Sequence, residues 1–379
     1  MPAEYDAIVI GLGAMGSAAA YQLAVRGQRV LGLEAFPRGH TLGSSHGESR
    51  IIRMAYFEHA DYVPLLKRAY ALWGQMQAAA SVELLRLTGG LFIGPPDGEL
   101  VAGSRRSAEA HGVPHALLDA REIVQRFPAL RPRPDEIGLY EETAGVLFPE
   151  RCIAAQLDLA RQAGAELHHA EPVESWAGDT SGLEVRTAGG RFQAGRLVLT
   201  AGAWLGKLLA SLHLPLQPER IPLFWFEPTP ELPVFIWQTG ADEYFFGIPH
   251  LEWLGTKVGR HHSEQPCDPD TVDRDIHPAD EQRVRRFVEQ CIPDLNGPLA
   301  AAKICLYTNT PDGHFLIDRH PELPNVVFAG GFSGHGFKFA SVVGEILADL
   351  LLDGRATPAA EFLRLERFSA PKSAAGVFR

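Results

Sequence analysis

The sequence predicts an α/β protein of two domains, one organised on a parallel sheet with helices against it and the other on a mixed or antiparallel sheet. Three observations predict it. A strand, a glycine-rich turn, a helix and a second strand follow one another within residues 7–34; a further strand–glycine–helix unit occupies residues 325–352; and residues 215–300 are rich in proline and short alternating strands. A chain of 379 residues has room for two cores. With 46% hydrophobic and 21% charged residues its composition is that of an ordinary enzyme, and a net charge of −11 argues against a broad nucleic-acid surface while leaving room for a local cationic pocket. The four cysteines, Cys152, Cys267, Cys291 and Cys305, form no CxxC pair, which points to a reducing compartment.

The uncharged run from Ala7 to Val25 is long enough to be mistaken for a membrane span or a signal sequence, but the flanking Glu4 and Asp6 have the wrong sign for a signal. Ala7-Ile8-Val9-Ile10 reads instead as a buried strand, Gly11-Leu12-Gly13-Ala14-Met15-Gly16 as a phosphate turn, and Ser17 to about Arg26 as a helix stopped by Gly27. The next strand, Arg29 to Leu33, ends in Glu34. Gly11 permits the tight turn, Gly13 the approach of a pyrophosphate to the helix N-terminus, and Gly16 close packing of helix on strand. Glu34 stands where a carboxylate accepts from an adenosine ribose, which argues against NADP but leaves NAD and FAD open. The first domain is thus Rossmann-like.

After a loop rich in Gly, Ser and His, Arg50 and Arg53 flank two isoleucines, a spacing that places both on one side of a helical turn, facing an anion. A helix is expected over 62–80, strands at 90–93 and 138–140, a helix over 151–163 stopped by Gly164, and a strand at 166–169. Residues 183–193 read as a hairpin around Gly189-Gly190, and 196–200 as an apolar strand running into Ala201-Gly202-Ala203-Trp204, whose small residues admit a ligand. Strands at 233–237 and 244–247 and a helix over 280–291 follow, with Arg283, Arg285 and Arg286 on its solvated face. The adjacent pairs His168/His169 and His261/His262 have side chains that diverge in regular structure, so no metal site is expected. Finally, strand 325–329 leads through Gly330, Gly331, Gly334 and Gly336 directly into a helix, with Lys338 in its first turns, where its charge opposes the dipole and calls for an anionic partner.

Taken together, the N-terminal glycine unit, the stretch Gly43 to Arg53, Lys303-Ile304-Cys305-Leu306-Tyr307-Thr308, Pro311-Asp312 and Gly331 to Phe339 resemble the monomeric sarcosine oxidase and N-methyltryptophan oxidase family, in order and over essentially the whole chain. The resemblance implies an FAD-dependent oxidase of secondary amino acids, N-methylated or cyclic, that forms an imine and passes electrons to O2, giving hydrogen peroxide and, after hydrolysis, an aldehyde. It implies FAD attached through the Cys305 sulfur to the flavin 8α carbon, with Arg50 against the flavin and His46 assisting attachment; Ser45 stands where sarcosine enzymes usually carry a further histidine. Arg53 and Lys338 match the carboxylate-binding pair, Lys257 the oxygen-activating lysine, and Tyr307, His335 and His261 active-site positions. The FAD contacts expected are Gly11, Gly13, Met15, Gly16, Glu34, Ser44, His46, Arg50, Ala201, Gly202, Trp204, Cys305, Gly334, His335, Gly336 and Lys338.

Phe246 departs from the family, standing where sarcosine enzymes place a tyrosine, and implies a more apolar pocket and a substrate other than or broader than sarcosine. The expected FAD-binding domain comprises 1–85, 150–215 and 301–379, and the substrate domain 86–149 and 216–300. The alternative reading is a flavin dehydrogenase passing electrons to a quinone or electron-transfer protein. A monomer in the cytoplasm is expected, with no membrane or nucleic-acid partner, and residues 376–379 carry no peroxisomal tripeptide.

Overall fold

Strand β1 (Tyr5–Ile10), helix α1 (Ala14–Val25) and strand β2 (Val30–Leu33) form the expected parallel unit in the computed structural model, which describes residues 4–252 and 254–368. The reading of residues 376–379 lies outside the described residues. The chain continues through β3 (Arg50–Ile52), α2 (Tyr62–Ala80), β4 (Leu85–Leu87), β5 (Gly90–Gly94), α3 (Glu99–His111), β6 (Ala116–Asp119), α4 (Ala120–Arg126), β7 (Ile137–Glu141) and β8 (Gly145–Leu147). It returns through α5 (Pro149–Gln162), β9 (Glu166–His168), β10 (Val173–Asp179), β11 (Gly182–Thr187), β12 (Gly190–Leu199) and a single turn, α6 (Leu205–Leu208). Then come β13 (Gln217–Phe226), β14 (Val234–Gly240), β15 (Glu243–Ile248), β16 (Thr256–Arg260), α7 (Pro278–Cys291), β17 (Leu299–Asn309), β18 (Leu316–Arg319), β19 (Val326–Gly330) and α8 (Ala340–Asp353).

In the first sheet β9, β2, β1, β12 and β19 lie side by side and parallel, with Ala7 of β1 opposite Val30 on one side and Arg196 on the other. The two-residue period sorts β1: Ala7 and Val9 join the core under the helices, while Ile8 and Ile10 join the opposite cluster with Leu197 and Val326. Each such fully buried aliphatic side chain contributes about 1.5–3 kcal/mol. Helix α1 is made of small residues because α5 and α8 press on it; a Cβ at Gly344 of α8 would lie 2.5 Å from the Ala18 carbonyl carbon.

The second sheet runs β17-β13-β16-β15-β14-β5-β7-β6, antiparallel except between β14 and β5. One face is closed by α7, whose Phe287 stacks on Phe245 at 4.3 Å. The other faces the first sheet, and alternation decides what it presents: Tyr244, Phe246 and Ile248 of β15, Lys257 of β16, and Cys305 and Tyr307 of β17.

Four expectations are corrected here. Arg50 lies in extended β3 and Arg53 just beyond its end, rather than on a helical turn, because the segment pairs with β8, Arg50 opposite Leu147. Residues 196–200 do not form a separate strand but continue the hairpin within β12, which pairs with β11 at its start and β19 at its end. The strand carrying Cys305 pairs with β13 in the second sheet, so a boundary at residue 301 cuts through β17, and residues 145–147 pair with β3 and β4. The helix after β19 begins at Ala340, so Lys338 sits in a preceding 3-10 turn, Phe337–Phe339.

Candidate active site

A cavity of about 630 Å³ lies between the two sheets. At its first-sheet end Gly11 has φ +88° and passes so close to β12 that a Cβ would lie 2.7 Å from the Thr200 carbonyl oxygen. Gly13 is the extended N-cap of α1, the Ser45 hydroxyl accepts from the Ala14 N–H at 3.3 Å, and this helix N-terminus lines the cavity. Gly16 lies one layer behind, where a Cβ would come within 1.7 Å of the Gly11 carbonyl oxygen. Glu34, buried at the end of β2, accepts from the Leu12 N–H at 2.8 Å and the Phe36 N–H at 3.1 Å. Met15, Ser44, Ala201, Gly202 and Trp204 complete this wall, the Trp204 indole donating to Asp270 at 2.6 Å.

Midway along the cavity stand Arg50, Cys305 and Lys257. The Arg50 guanidinium donates to the Ser44 and His46 carbonyls at 2.8 and 2.7 Å and lies 3.6 Å from the Cys305 sulfur. His46 is buried behind this wall, and neither ring nitrogen has a hydrogen-bond partner among the described residues. Burial, then Arg50 and Lys257, push its pKa down to about 3, so its ring is neutral. Lys257 donates to the Gly47 carbonyl at 2.5 Å, the Ser49 carbonyl at 2.9 Å and the Ser49 hydroxyl at 3.0 Å, with the Trp225 ring 5.1 Å away. Burial and Arg50 lower its pKa, whereas three acceptors suit an ammonium with three N–H bonds.

The far end holds Arg53, Lys338, His335, His261, Tyr307 and Phe246. Arg53, 1% exposed, donates to both oxygens of Glu58 at 2.7 Å and to the Ala55 carbonyl. Burial would raise the Glu58 carboxyl, but the charge and hydrogen bonds of Arg53, with Lys338 nearby, outweigh it and hold Glu58 ionised. Lys338 donates to the His335 carbonyl at 2.6 Å; burial and then Arg53 bring its pKa down to about 7. His335 is neutral, its pKa pushed to about 3 chiefly by burial. Phe246 has room to lie over β16 because Gly259 faces it; a Cβ there would meet its ring at 2.7 Å.

The His261 and His262 rings do not diverge as expected. The chain bends after β16 and brings them to 4.4 Å, each beside Tyr307, with His262 held by the Glu219 carboxylate at 2.9 Å. Among the described residues no group of three or more His, Cys, Asp or Glu is placed to hold a metal. Sequence reasoning missed Tyr56, Glu58, Ser49 and Glu219. Only Glu58 left a signal, a lone carboxylate directly after the aromatic pair Tyr56-Phe57, and Lys338 faces it through space rather than across a bonded ion pair.

The model of the FAD dependent oxidoreductase family matches residues 6–350. The chain belongs to that family. FAD is its cofactor, and the cradle of Gly11, the α1 N-terminus and the buried Glu34 fit it. Among family relatives, a monomeric sarcosine oxidase from Streptomyces avermitilis is 47% identical over 365 residues, 93% of this chain and 95% of that one. An N-methyl-L-tryptophan oxidase from Salmonella arizonae is 36% identical, covering 97% of this chain and all of its own. Among solved structures, NikD, an amino acid oxidase essential for nikkomycin biosynthesis, superimposes with a TM-score of 0.84 at 25% identity over 99% of both chains. The L-proline dehydrogenase of P. horikoshii gives the same TM-score at 26% identity over 97% of this chain and 99% of its own. The family is thus one of flavoproteins, and among the described residues no helix is long and apolar enough to cross a membrane.

Proposed function

We propose that this protein oxidises a secondary amino acid with molecular oxygen as acceptor. For an N-methyl substrate, the amine, O2 and water yield formaldehyde, the demethylated amino acid and hydrogen peroxide. The observation that carries this reading is the pair of buried cations, Arg53 and Lys338, at one end of a cavity whose other end fits a dinucleotide. Two buried cations side by side call for an anion, and a carboxylate spans both. Glu58 now takes both N–H bonds of the Arg53 Nη2 and the Ala55 carbonyl accepts from Nη1, while the buried Nε has no partner among the described residues, so the guanidinium keeps a donor beyond its internal ion pair.

The chemistry FAD supplies when bound is two-electron acceptance from the carbon–hydrogen bond beside the amine, followed by reoxidation by O2. The chain's own part is orientation and electrostatics. Arg53 and Lys338 fix the carboxylate, and Tyr307, His261 and Phe246 shape the space for the amine and its substituents. His261, kept neutral by burial and then by His262, offers a ring nitrogen as a hydrogen-bond acceptor for the amine's N–H. Lys257 is the fixed positive charge for oxygen, whose one-electron reduction builds negative charge; its three N–H bonds are taken, so it acts through its field.

Phe246, Ile236 and Ile248 make the wall opposite the clamp apolar, and the Tyr244 hydroxyl is taken by Glu99 at 2.9 Å. This favours N-methyl or cyclic amino acids with apolar substituents over sarcosine. Equal kcat/KM on sarcosine and on larger substrates would contradict that preference. FAD attachment is assigned to Cys305, the one cysteine on the cavity wall among the described residues, with its sulfur 3.6 Å from Arg50. The yellow colour should stay in an acid-precipitated pellet and leave it in Cys305→Ser; free FAD from the parent protein would refute the linkage.

The likeness to a proline dehydrogenase supports a second reading, transfer of electrons to another acceptor. Lys257 beside Arg50 and Cys305 favours oxygen. Peroxide formed with air as the sole acceptor distinguishes the two; reduction of a quinone dye without peroxide would favour the second. A monomer acting in the cytoplasm completes the proposal, in keeping with the name of the Streptomyces relative and with a small-molecule substrate.

A further inference from the structure

Tyr56 touches every charged or titrating group of the carboxylate clamp except Glu58, although it does not line the cavity. It is fully buried, its N–H donates to the Ser107 hydroxyl at 2.8 Å, and its ring is wedged against Tyr62 at 5.1 Å and Phe339 at 5.5 Å. The Arg53 guanidinium carbon lies 4.2 Å from the ring centroid and the Lys338 nitrogen 5.1 Å from it, so both cations share one aromatic surface.

The hydroxyl's direction follows from its neighbours. His335 Nε2 is 2.9 Å from the Gly313 carbonyl, which only accepts, so Nε2 carries the proton of the neutral ring. Nδ1 is therefore an acceptor, and the Tyr56 hydroxyl donates to it at 2.6 Å. With its proton committed there, the phenol oxygen turns its lone pairs to Lys338, whose nitrogen is 3.4 Å away and donates a second N–H to the His335 carbonyl.

We propose that Tyr56 is a positioning residue of the clamp, its hydroxyl holding Lys338 as the ammonium and its ring seating Arg53 and Lys338 to meet one carboxylate. The inference rests on the reading of these two cations as the substrate's carboxylate site. The other groups facing Lys338 are Arg53 and Glu58 from the segment after β3, His335 from its own loop and His261 from the end of β16. Of these, Arg53 opposes the ammonium and Glu58 favours it, while His335 and His261 are neutral, so loss of the phenol oxygen removes one of the few supports the charge has.

The test is the affinity of the holoenzyme for propionate, measured by calorimetry between about pH 6 and 9, in the parent protein and in Tyr56→Phe. In the parent, affinity should fall as pH rises through the Lys338 transition. In Y56F the fall should move about one pH unit lower, weakening propionate roughly tenfold above it, with KM for the amino acid raised far more than kcat is lowered. Curves that superimpose would overturn the proposal. A parent protein that binds no propionate at any pH would instead overturn the carboxylate site itself. Should Y56F lose its thermal transition, Tyr56→Met, which also removes the hydroxyl and fills the buried space with a flexible side chain, carries the test: the same downward move of the fall supports the proposal, and a curve that superimposes on the parent's contradicts it.

Discussion

At the nucleotide end of the cavity Gly11, Gly13 and Glu34 act through backbone geometry and short hydrogen bonds; at the reaction end Arg50, Arg53, Lys257 and Lys338 bring four basic side chains together with three neutral histidines nearby. The first end is local: its glycines and its carboxylate lie within one strand–helix–strand unit. The second is assembled from β3, β16, β17 and the loop before α8, and each cation there is held by carbonyls, a carboxylate or an aromatic ring. One end fails when a backbone cannot approach, the other when a charge loses its partner.

The largest effect should come from Gly16→Val. With a Cβ 1.7 Å from the Gly11 carbonyl oxygen the turn cannot keep its shape, and purified protein should carry no FAD or fail to fold, as its absorbance and thermal transition will report. Arg53→Met should leave FAD content unchanged yet lower kcat/KM by about 10²–10³-fold, because it removes a buried charge proposed to meet the substrate's carboxylate. Opposite results for these two variants, flavin lost in the second and retained in the first, would break the distinction between the ends.

That distinction also explains what was legible beforehand. Residues 7–34 announce themselves because spacing along the chain is spacing in space, and the helices over 62–80 and 280–291 because their apolar period is regular. Arg50 and Arg53 misled the helical reading because their segment takes its shape from β8, about a hundred residues away. Cys305 and Lys257 were found only through family likeness; as single residues on strands they look like any buried thiol or lysine. Tyr56 and Glu58 were missed because what marks them is contact with Arg53, His335 and Lys338, and no local pattern encodes that.

Smaller effects sharpen the picture within the reaction end. Lys257→Met should slow reoxidation by O2 about 10²-fold in stopped-flow measurements while leaving anaerobic reduction by substrate nearly unchanged, because on the proposed reading its charge serves the reduction of oxygen and not the carboxylate. Phe246→Tyr should shift the ratio of kcat/KM values toward sarcosine by no more than about tenfold, because it adds one hydroxyl to an apolar wall without moving the clamp.

The central claim, that this end of the cavity recognises a carboxylate so as to present the adjacent amine for oxidation, is tested most directly by anaerobic reduction of the bound FAD with an N-methyl amino acid and with its primary amide. The acid should bleach the flavin saturably, and the amide little or not at all at equal concentration. Equal rates and equal saturation with both compounds would contradict it.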